Sequence, residues 1–137
     1  VLPQLIQKAV SYKSGLSEYF EIEGDGKQTR AFCHVNDAVK GIKMIYEKGI
    51  NKNIYHIGNP SEITIDELAQ IICNKVEVEF SPRYSKLPLG SPTRRCPDIS
   101  KIAKLGFSPL IDINSGVADA VNWYLNNLDQ KPSSDLD

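Results

Sequence analysis

The four arginines of the chain carry its strongest chemical signal, because three of them cluster and the fourth follows a tight turn. Arg30 comes after Asp25-Gly26, which predicts a turn with glycine at positive φ, and it opens an apolar run that should be buried. The other three lie in residues 81–97, which hold four prolines and no acidic residue. A rigidly held guanidinium facing a basic loop could neutralise a diphosphate, since arginine binds phosphate with paired hydrogen bonds. The alternative for both features is a solvated basic surface.

Three sequence segments match a pattern together. Residues 24–37, GDGKQTRAFCHVND, follow G-D-G-x-Q-T-R-x-F-x-x-V-x-D. Residues 54–69 are similar to YNIGN followed by xTIxELA, and residues 94–109 are similar to RRxPDISKxxxLGxxP. The order and spacing of the three make the match specific. Over about residues 1–126 the chain resembles the extended short-chain dehydrogenase/reductase family, which comprises NAD-dependent sugar-nucleotide epimerases, dehydratases and decarboxylases.

The resemblance implies a set of substrate-binding residues. In relatives, arginines at the positions of Arg30 and Arg95 contact the diphosphate of the nucleotide sugar, and Arg94 lies beside the second of them. The first helix and the strand before the turn hold the base and ribose, which adds Leu5 and Glu23 to the site. Relatives often carry an aromatic residue where this chain has Glu23, so the sequence leaves the base undetermined.

The resemblance also implies that the chain is part of a larger enzyme. Family members have a Rossmann half with a glycine-rich phosphate loop and a catalytic Tyr-x-x-x-Lys pair, and this sequence contains neither pattern. We therefore expect residues 1–128 to form the C-terminal sugar-nucleotide-binding lobe, followed by a polar tail at 129–137. The catalytic residues and NAD would belong to the missing N-terminal Rossmann half, so no NAD binding or turnover is expected from this chain alone. The alternative is a stand-alone, non-catalytic module that binds nucleotide sugars or another protein.

The composition is that of an ordinary globular domain, with 41% apolar residues, 24% charged residues and a net charge of −1. Without a basic surplus, neither nucleic acid nor a membrane surface is an expected partner. The apolar runs are much shorter than a membrane span. An odd number of cysteines with no C-x-x-C motif favours a reducing cytoplasm. His34 and His56 lack partners at metal-ligand spacing, so no metal site is predicted.

Hydrophobic periodicity predicts an α/β fold, a small mixed lobe of short strands and helices. Thr64-Ile65-Asp66-Glu67 is a capping box, and Asn36 or Asp37 and Ser115 are the expected caps of two other helices. The predicted helices cover residues 2–12, 37–48, 64–74, 99–105 and 115–128, and the predicted strands cover 19–23, 31–35, 53–57 and 76–80.

Two of the predicted strands, 31–35 and 53–57, are apolar at nearly every position, which is typical of strands covered on both sides. In relatives one of those covers is the Rossmann half. We therefore expect this lobe to expose an apolar surface and to self-associate through it. That surface would centre on Phe32, Val35, Ile54 and Ile57.

Overall fold

The structure is a computed structural model, and it describes residues 1–127. Within that range, five helices and five short strands follow one another along the chain. In order they are α1 (Leu2–Lys13), β1 (Phe20–Glu23), β2 (Thr29–Ala31), α2 (Val35–Lys48), β3 (Glu62–Thr64), α3 (Ile65–Val76), β4 (Pro82–Ser85), β5 (Arg94–Arg95), α4 (Ser100–Ala103) and α5 (Ile113–Asn126).

The strands form two small sheets, so the predicted mixed α/β lobe is confirmed. β1 pairs in parallel with β4, and the second sheet has the order β3-β2-β5. In that sheet β2 runs antiparallel to β3 and parallel to β5. The predicted turn forms, with Gly24 and Gly26 at φ values of 87° and 74°. It does not close a hairpin, because β1 and β2 belong to different sheets.

The core lies where α1, α3 and α5 pack together against β1. The predicted capping box begins α3: the Thr64 hydroxyl accepts a hydrogen bond from the Glu67 N–H at 3.2 Å, and the Glu67 carboxylate accepts one from the Thr64 N–H at 2.9 Å. The buried apolar side chains of this core are Leu5, Ile6, Ala9, Phe20, Ile22, Ile65, Leu68, Ala69, Ile72, Cys73, Val76, Val117 and Val121.

Three of the predicted strands, 31–35, 53–57 and 76–80, are wrong. Residues 31–35 contribute only Ala31 to a strand, because His34 caps α2 and Val35 is its first residue. Val76 extends the buried stripe of α3 one turn beyond Ile72, and helix packing therefore outweighs the alternating pattern of residues 76–80. Glu77 then ends the helix in the left-handed conformation at φ 63°. Residues 53–57 form no strand either, because no strand of residues 1–127 pairs with them.

The predicted cap of α2 is also wrong. His34 is the cap, since its Nδ1 accepts a hydrogen bond from the Asn36 N–H at 3.2 Å. Asp37 instead lies buried inside the lobe, where its Oδ2 accepts hydrogen bonds from the N–H groups of Leu110 and Ile111 at 3.0 and 2.9 Å. The Ile111 bond is the main cause that holds the pKa of Asp37 below its ordinary value. Asp37 therefore anchors α2 to the segment before α5.

The last two helices differ slightly from their predicted bounds. Ser115 was the expected cap of α5, but Asp112 fills that place and accepts from the N–H groups of Asn114 and Ser115. α4 is shorter than the predicted helix and covers Ser100–Ala103. The predicted end of α5 at residue 128 and the tail at 129–137 lie outside the described residues.

One side of α2 is apolar and uncovered by the rest of residues 1–127. We call this side the α2 apolar face; it consists of Val35, Val39, Ile42 and Tyr46, which are 66%, 58%, 60% and 90% exposed. Their spacing places them on one side of the helix. Of the four residues predicted to be exposed, Val35 and Ile54 are, whereas Phe32 and Ile57 are half-buried.

Within residues 1–127, no helix combines the length and apolar character needed to cross a membrane. No group of three or more histidine, cysteine or acidic side chains in that range could hold a metal ion.

Candidate functional site

A pocket of about 120 Å³ lies between α1, the end of β1 and the start of β2. Three of the five predicted site residues line it, namely Leu5, Glu23 and Arg30, whereas Arg94 and Arg95 do not. The other lining residues are Val1, Gln4, Lys8, Gln28, Ile65, Leu87 and Ser91. The pocket thus combines apolar walls with two cationic side chains, one carboxylate and two amides.

Arg30 is held in place by backbone carbonyl groups. Its Nη1 donates to the Thr29 oxygen at 2.7 Å and its Nη2 donates to the Pro92 oxygen at 2.9 Å. These bonds occupy part of a fork of five N–H donors, and no carboxylate of residues 1–127 forms an ion pair with it. Arg30 therefore presents positive charge and spare donors on a rigid strand, which suits an anionic group such as a phosphate.

The two neighbouring arginines of β5 point to opposite faces of the sheet. β2 and β5 pair in parallel with Thr29 opposite Arg94 and Arg30 opposite Arg95, and paired residues share a face. Arg94 donates from Nε and Nη2 to Glu62 Oε1 at 3.0 and 2.6 Å. Arg95 lies on the face of Arg30 and is exposed.

Glu62 binds the polar side chains on the face of the sheet that carries Arg94, opposite to the face of Arg30. It accepts a hydrogen bond from the Thr29 hydroxyl at 2.7 Å as well as those from Arg94. The hydrogen bond from Thr29 is the main cause that holds the pKa of the Glu62 carboxyl below its ordinary value, and the bonds from Arg94 lower this pKa further. The charge of Arg94 is thus already compensated within the lobe.

Gln28 is a pocket residue that sequence reasoning missed. It is 7% exposed, and its Nε2 donates to the Glu23 carbonyl oxygen at 2.6 Å. Its Oε1 is buried without a hydrogen-bond partner among residues 1–127. Gly24 makes room for it, because a Cβ there would lie 2.9 Å from the amide nitrogen. The sequence signal was the glutamine inside the quoted G-D-G-x-Q-T-R pattern.

Lys8 connects the helical and strand walls of the pocket. Its Nζ lies 3.5 Å from Glu21 Oε2 and 3.7 Å from Glu23 Oε1. The two glutamates alternate with buried residues along β1 and therefore share a side of the strand. Only Glu23 lines the pocket that contains Arg30.

Comparison with known proteins agrees with the sequence motifs. Residues 1–58 match the model of the NAD dependent epimerase/dehydratase family. The chain is 31% identical over 134 residues to a putative GDP-L-fucose synthase 2 of Arabidopsis thaliana, covering 96% of this chain and 40% of that protein. It is 32% identical over 108 residues to UDP-glucuronic acid decarboxylase 1 of the same plant, covering 78% of this chain and 25% of the relative. The chain belongs to the NAD-dependent epimerase/dehydratase family.

The fold of the lobe is also that of the family. The crystal structure of dTDP-glucose 4,6-dehydratase from Streptomyces venezuelae, which has NAD bound, superimposes with a TM-score of 0.77 at 29% identity. The match covers 88% of this chain and 38% of the dehydratase. The epimerase/dehydratase lobe described here thus spans at most about 40% of the length of these relatives.

The Gly24–Gly26 turn of this epimerase/dehydratase lobe is not an open phosphate cradle. A dinucleotide needs an open glycine cradle for its pyrophosphate, but both glycines of the turn are covered by side chains of the lobe. Gly24 packs on Gln28, and a Cβ at Gly26 would overlap the carboxylate of Asp66. The Asp66 N–H also donates to the Gly26 oxygen at 3.0 Å. The turn therefore serves to fasten β1 and β2 to the start of α3.

A second cavity of the lobe, about 320 Å³ in volume, lies between the segment that follows β2, the start of α2 and the N-terminal half of α5. It is largely apolar, and His34 lies at its edge with Nε2 3.5 Å from Asp119 Oδ2. The His34 ring caps α2 through its other nitrogen. The geometry of this cavity is explained by helix capping and packing.

Proposed function

We propose that this lobe binds the nucleotide-diphosphate part of a sugar nucleotide for an NAD-dependent epimerase, dehydratase or decarboxylase. The observation that supports the proposal most is Arg30, a rigidly held cation without a carboxylate partner in residues 1–127 at the wall of a pocket. Relatives named for GDP, UDP and dTDP sugars share its fold or its sequence.

A diphosphate would bind between Arg30 and Arg95. The two arginines pair across β2 and β5 and share a face, so a second guanidinium can approach an anion held by the first. Charge-assisted bonds of this kind need no metal ion to neutralise the ligand. Arg94 lies on the other face and is paired with Glu62, so we assign it the role of holding β5 to β3.

The remaining chemistry would come from the rest of the enzyme. When bound there, NAD would accept and return a hydride. This chain has no Tyr-x-x-x-Lys pair and no glycine-rich loop. Its own residues would orient the substrate by fixing the diphosphate and the base.

The first test is nucleotide binding by the full 137-residue chain. Titration with GDP, UDP and dTDP, followed by NMR or calorimetry, should give saturable binding. Arg30→Gln and Arg95→Gln should each weaken it at least tenfold, because a charge-assisted bond contributes about 1.5–3 kcal/mol. Arg94→Gln is the matched control and should change affinity less than twofold. Absence of binding to all three nucleotides, or equal effects at positions 94 and 95, would contradict the proposal.

The non-catalytic interaction module remains the second candidate function. The observation that favours it is the α2 apolar face, which a partner protein could cover as well as the rest of an enzyme could. The two candidates differ in the polypeptide that supplies the cover. A gene in which this sequence is joined to a glycine-rich loop and a Tyr-x-x-x-Lys pair would decide for the enzyme.

A further inference from the structure

We infer that the base recognised by this lobe is guanine, and that Lys8 and Glu23 select it. The inference rests on the proposed function, since it assumes that a nucleoside diphosphate occupies the pocket. It concerns a different part of that pocket from Arg30.

The orientation of the ligand follows from the charges of the pocket walls. Arg30 is the cation on the β2 side, and Glu23 is the carboxylate that lines the same pocket at the end of β1. At Glu23 the Lys8 ammonium is shared by two carboxylates, those of Glu21 and Glu23, so a diphosphate there would meet net negative charge, whereas next to Arg30 it meets positive charge. The phosphates therefore lie at Arg30, and the uncharged base lies at Glu23.

The wall at that end presents a donor beside an acceptor. The Lys8 ammonium, which can only donate, lies 3.7 Å from the Glu23 carboxylate, which can only accept. Lys8 is 31% and Glu23 53% exposed at the side chain, so both can contact a ligand. Leu5 and Ile65 are among the apolar residues that line the same pocket and can pack on the face of a base.

Guanine has the matching edge. Its O6 accepts, and the adjacent N1–H and N2–H₂ groups donate, so O6 would face the ammonium while the two donors face the carboxylate. A carboxylate that accepts two parallel N–H bonds is a strong and directional partner.

The other bases match this order of groups less completely. Uracil and thymine have a single N–H between two carbonyl oxygens, so one oxygen would face the carboxylate. Adenine and cytosine can offer their unprotonated ring nitrogen to the ammonium and their amino group to the carboxylate, but they then give the carboxylate one N–H bond where guanine gives two. A polar group left without its partner costs more than a good bond adds, which is how such a site discriminates.

The experiment compares GDP, IDP, ADP, UDP and dTDP in titrations of the full chain. GDP should bind at least tenfold more tightly than UDP, dTDP or ADP. IDP lacks only the N2 amino group of guanine and should bind at least fivefold more weakly than GDP. Glu23→Gln should reduce the preference for GDP over UDP to threefold or less, because it removes the acceptor of two guanine N–H groups and the charge that faces the uracil oxygen.

Glu21→Gln is the matched control, because Glu21 lies on the same side of β1 and contacts the same lysine but does not line this pocket. It should leave the preference for GDP unchanged. If UDP, dTDP or ADP binds as tightly as GDP, or if IDP equals GDP, the assignment of guanine is wrong while the proposed function stands. If no nucleotide binds, the proposed function itself fails.

Discussion

Two helices of this lobe, α3 and α2, have similar amphipathic sequences but very different surroundings. α3 buries Ile65, Leu68, Ala69, Ile72, Cys73 and Val76, and burial raises the pKa of the Cys73 thiol to about 11. α2 is two residues longer, yet only Asp37 and Gly41 are buried along it. The apolar stripe of α3 is covered by α1 and α5, and that of α2 faces outward.

The difference shows what a hydrophobic pattern can specify. It defines a helix and the side that seeks cover, but it does not say which chain provides that cover. In α3 the cover lies within residues 1–127. In α2 the apolar side chains have no cover among residues 1–127. This agrees with a chain that spans at most about 40% of the length of its relatives.

The largest expected difference between the helices is in the cost of removing a side chain. Leu68→Ala should lower the free energy of unfolding by about 2–5 kcal/mol, because it leaves a cavity in the core. Ile42→Ala should change it by less than about 0.5 kcal/mol, because that side chain is exposed. Chemical denaturation of the two variants measures both values. At concentrations where the chain is monomeric, a cost at Ile42 close to that at Leu68 would mean that the α2 apolar face is covered within the same chain.

A smaller effect should come from Asp37, the polar anchor of α2. Asp37→Ala leaves the N–H groups of Leu110 and Ile111 without their acceptor, which should cost about 1–3 kcal/mol. Asp37→Asn is the control that keeps an acceptor at the same place and should cost less.

The pH dependence of that anchor has a definite sign. The pKa of Asp37 is lowered in the folded state from its ordinary value of 3.8, so its contribution is complete above that value. The contribution is lost as the pH falls through the folded-state pKa. Unfolding free energies of the wild-type chain should therefore decrease in acid more than those of Asp37→Asn. Parallel pH profiles of the two proteins would contradict this account.

The smallest effect on folding, and a clear one on association, is expected from a charge on the α2 apolar face. Ile42→Lys should leave the thermal unfolding midpoint within a few degrees, since the position is exposed. We predict that the wild-type chain self-associates and that this variant does so less, as measured by light scattering over a range of concentrations. A wild-type chain that stays monomeric throughout would remove the proposal of self-association.

Sequence patterns predicted those parts of the fold that depend on local interactions. The capping box at Thr64 was predicted because both partners lie within four residues of each other. The cap of α2 was not predicted, because Asp37 accepts hydrogen bonds from Leu110 and Ile111, which are distant in sequence. Strand pairing is non-local too, and residues 76–80 alternate without having a partner strand.

The candidate site was predicted in the same uneven way. The family resemblance gave Leu5, Glu23 and Arg30 as neighbours of one ligand, and they line one pocket. It could not separate Arg94 from Arg95, because their opposite faces follow from the pairing of β5 with β2. Nor did it single out Gln28, whose place in the pocket wall follows from the burial of its side chain in the folded lobe.

The parallel pairings of this lobe also set the order in which Arg30 and Arg95 can come together. β1 and β4, and likewise β2 and β5, join residues that are about 60 positions apart in the chain. Closing such long loops costs entropy before any contact compensates for it, so these pairings are expected to form late in folding. On the ribosome, Arg95 must emerge before it can join Arg30. The helices α1, α2 and α3 precede β5 and can form before it is made, whereas the site proposed for a diphosphate needs β5.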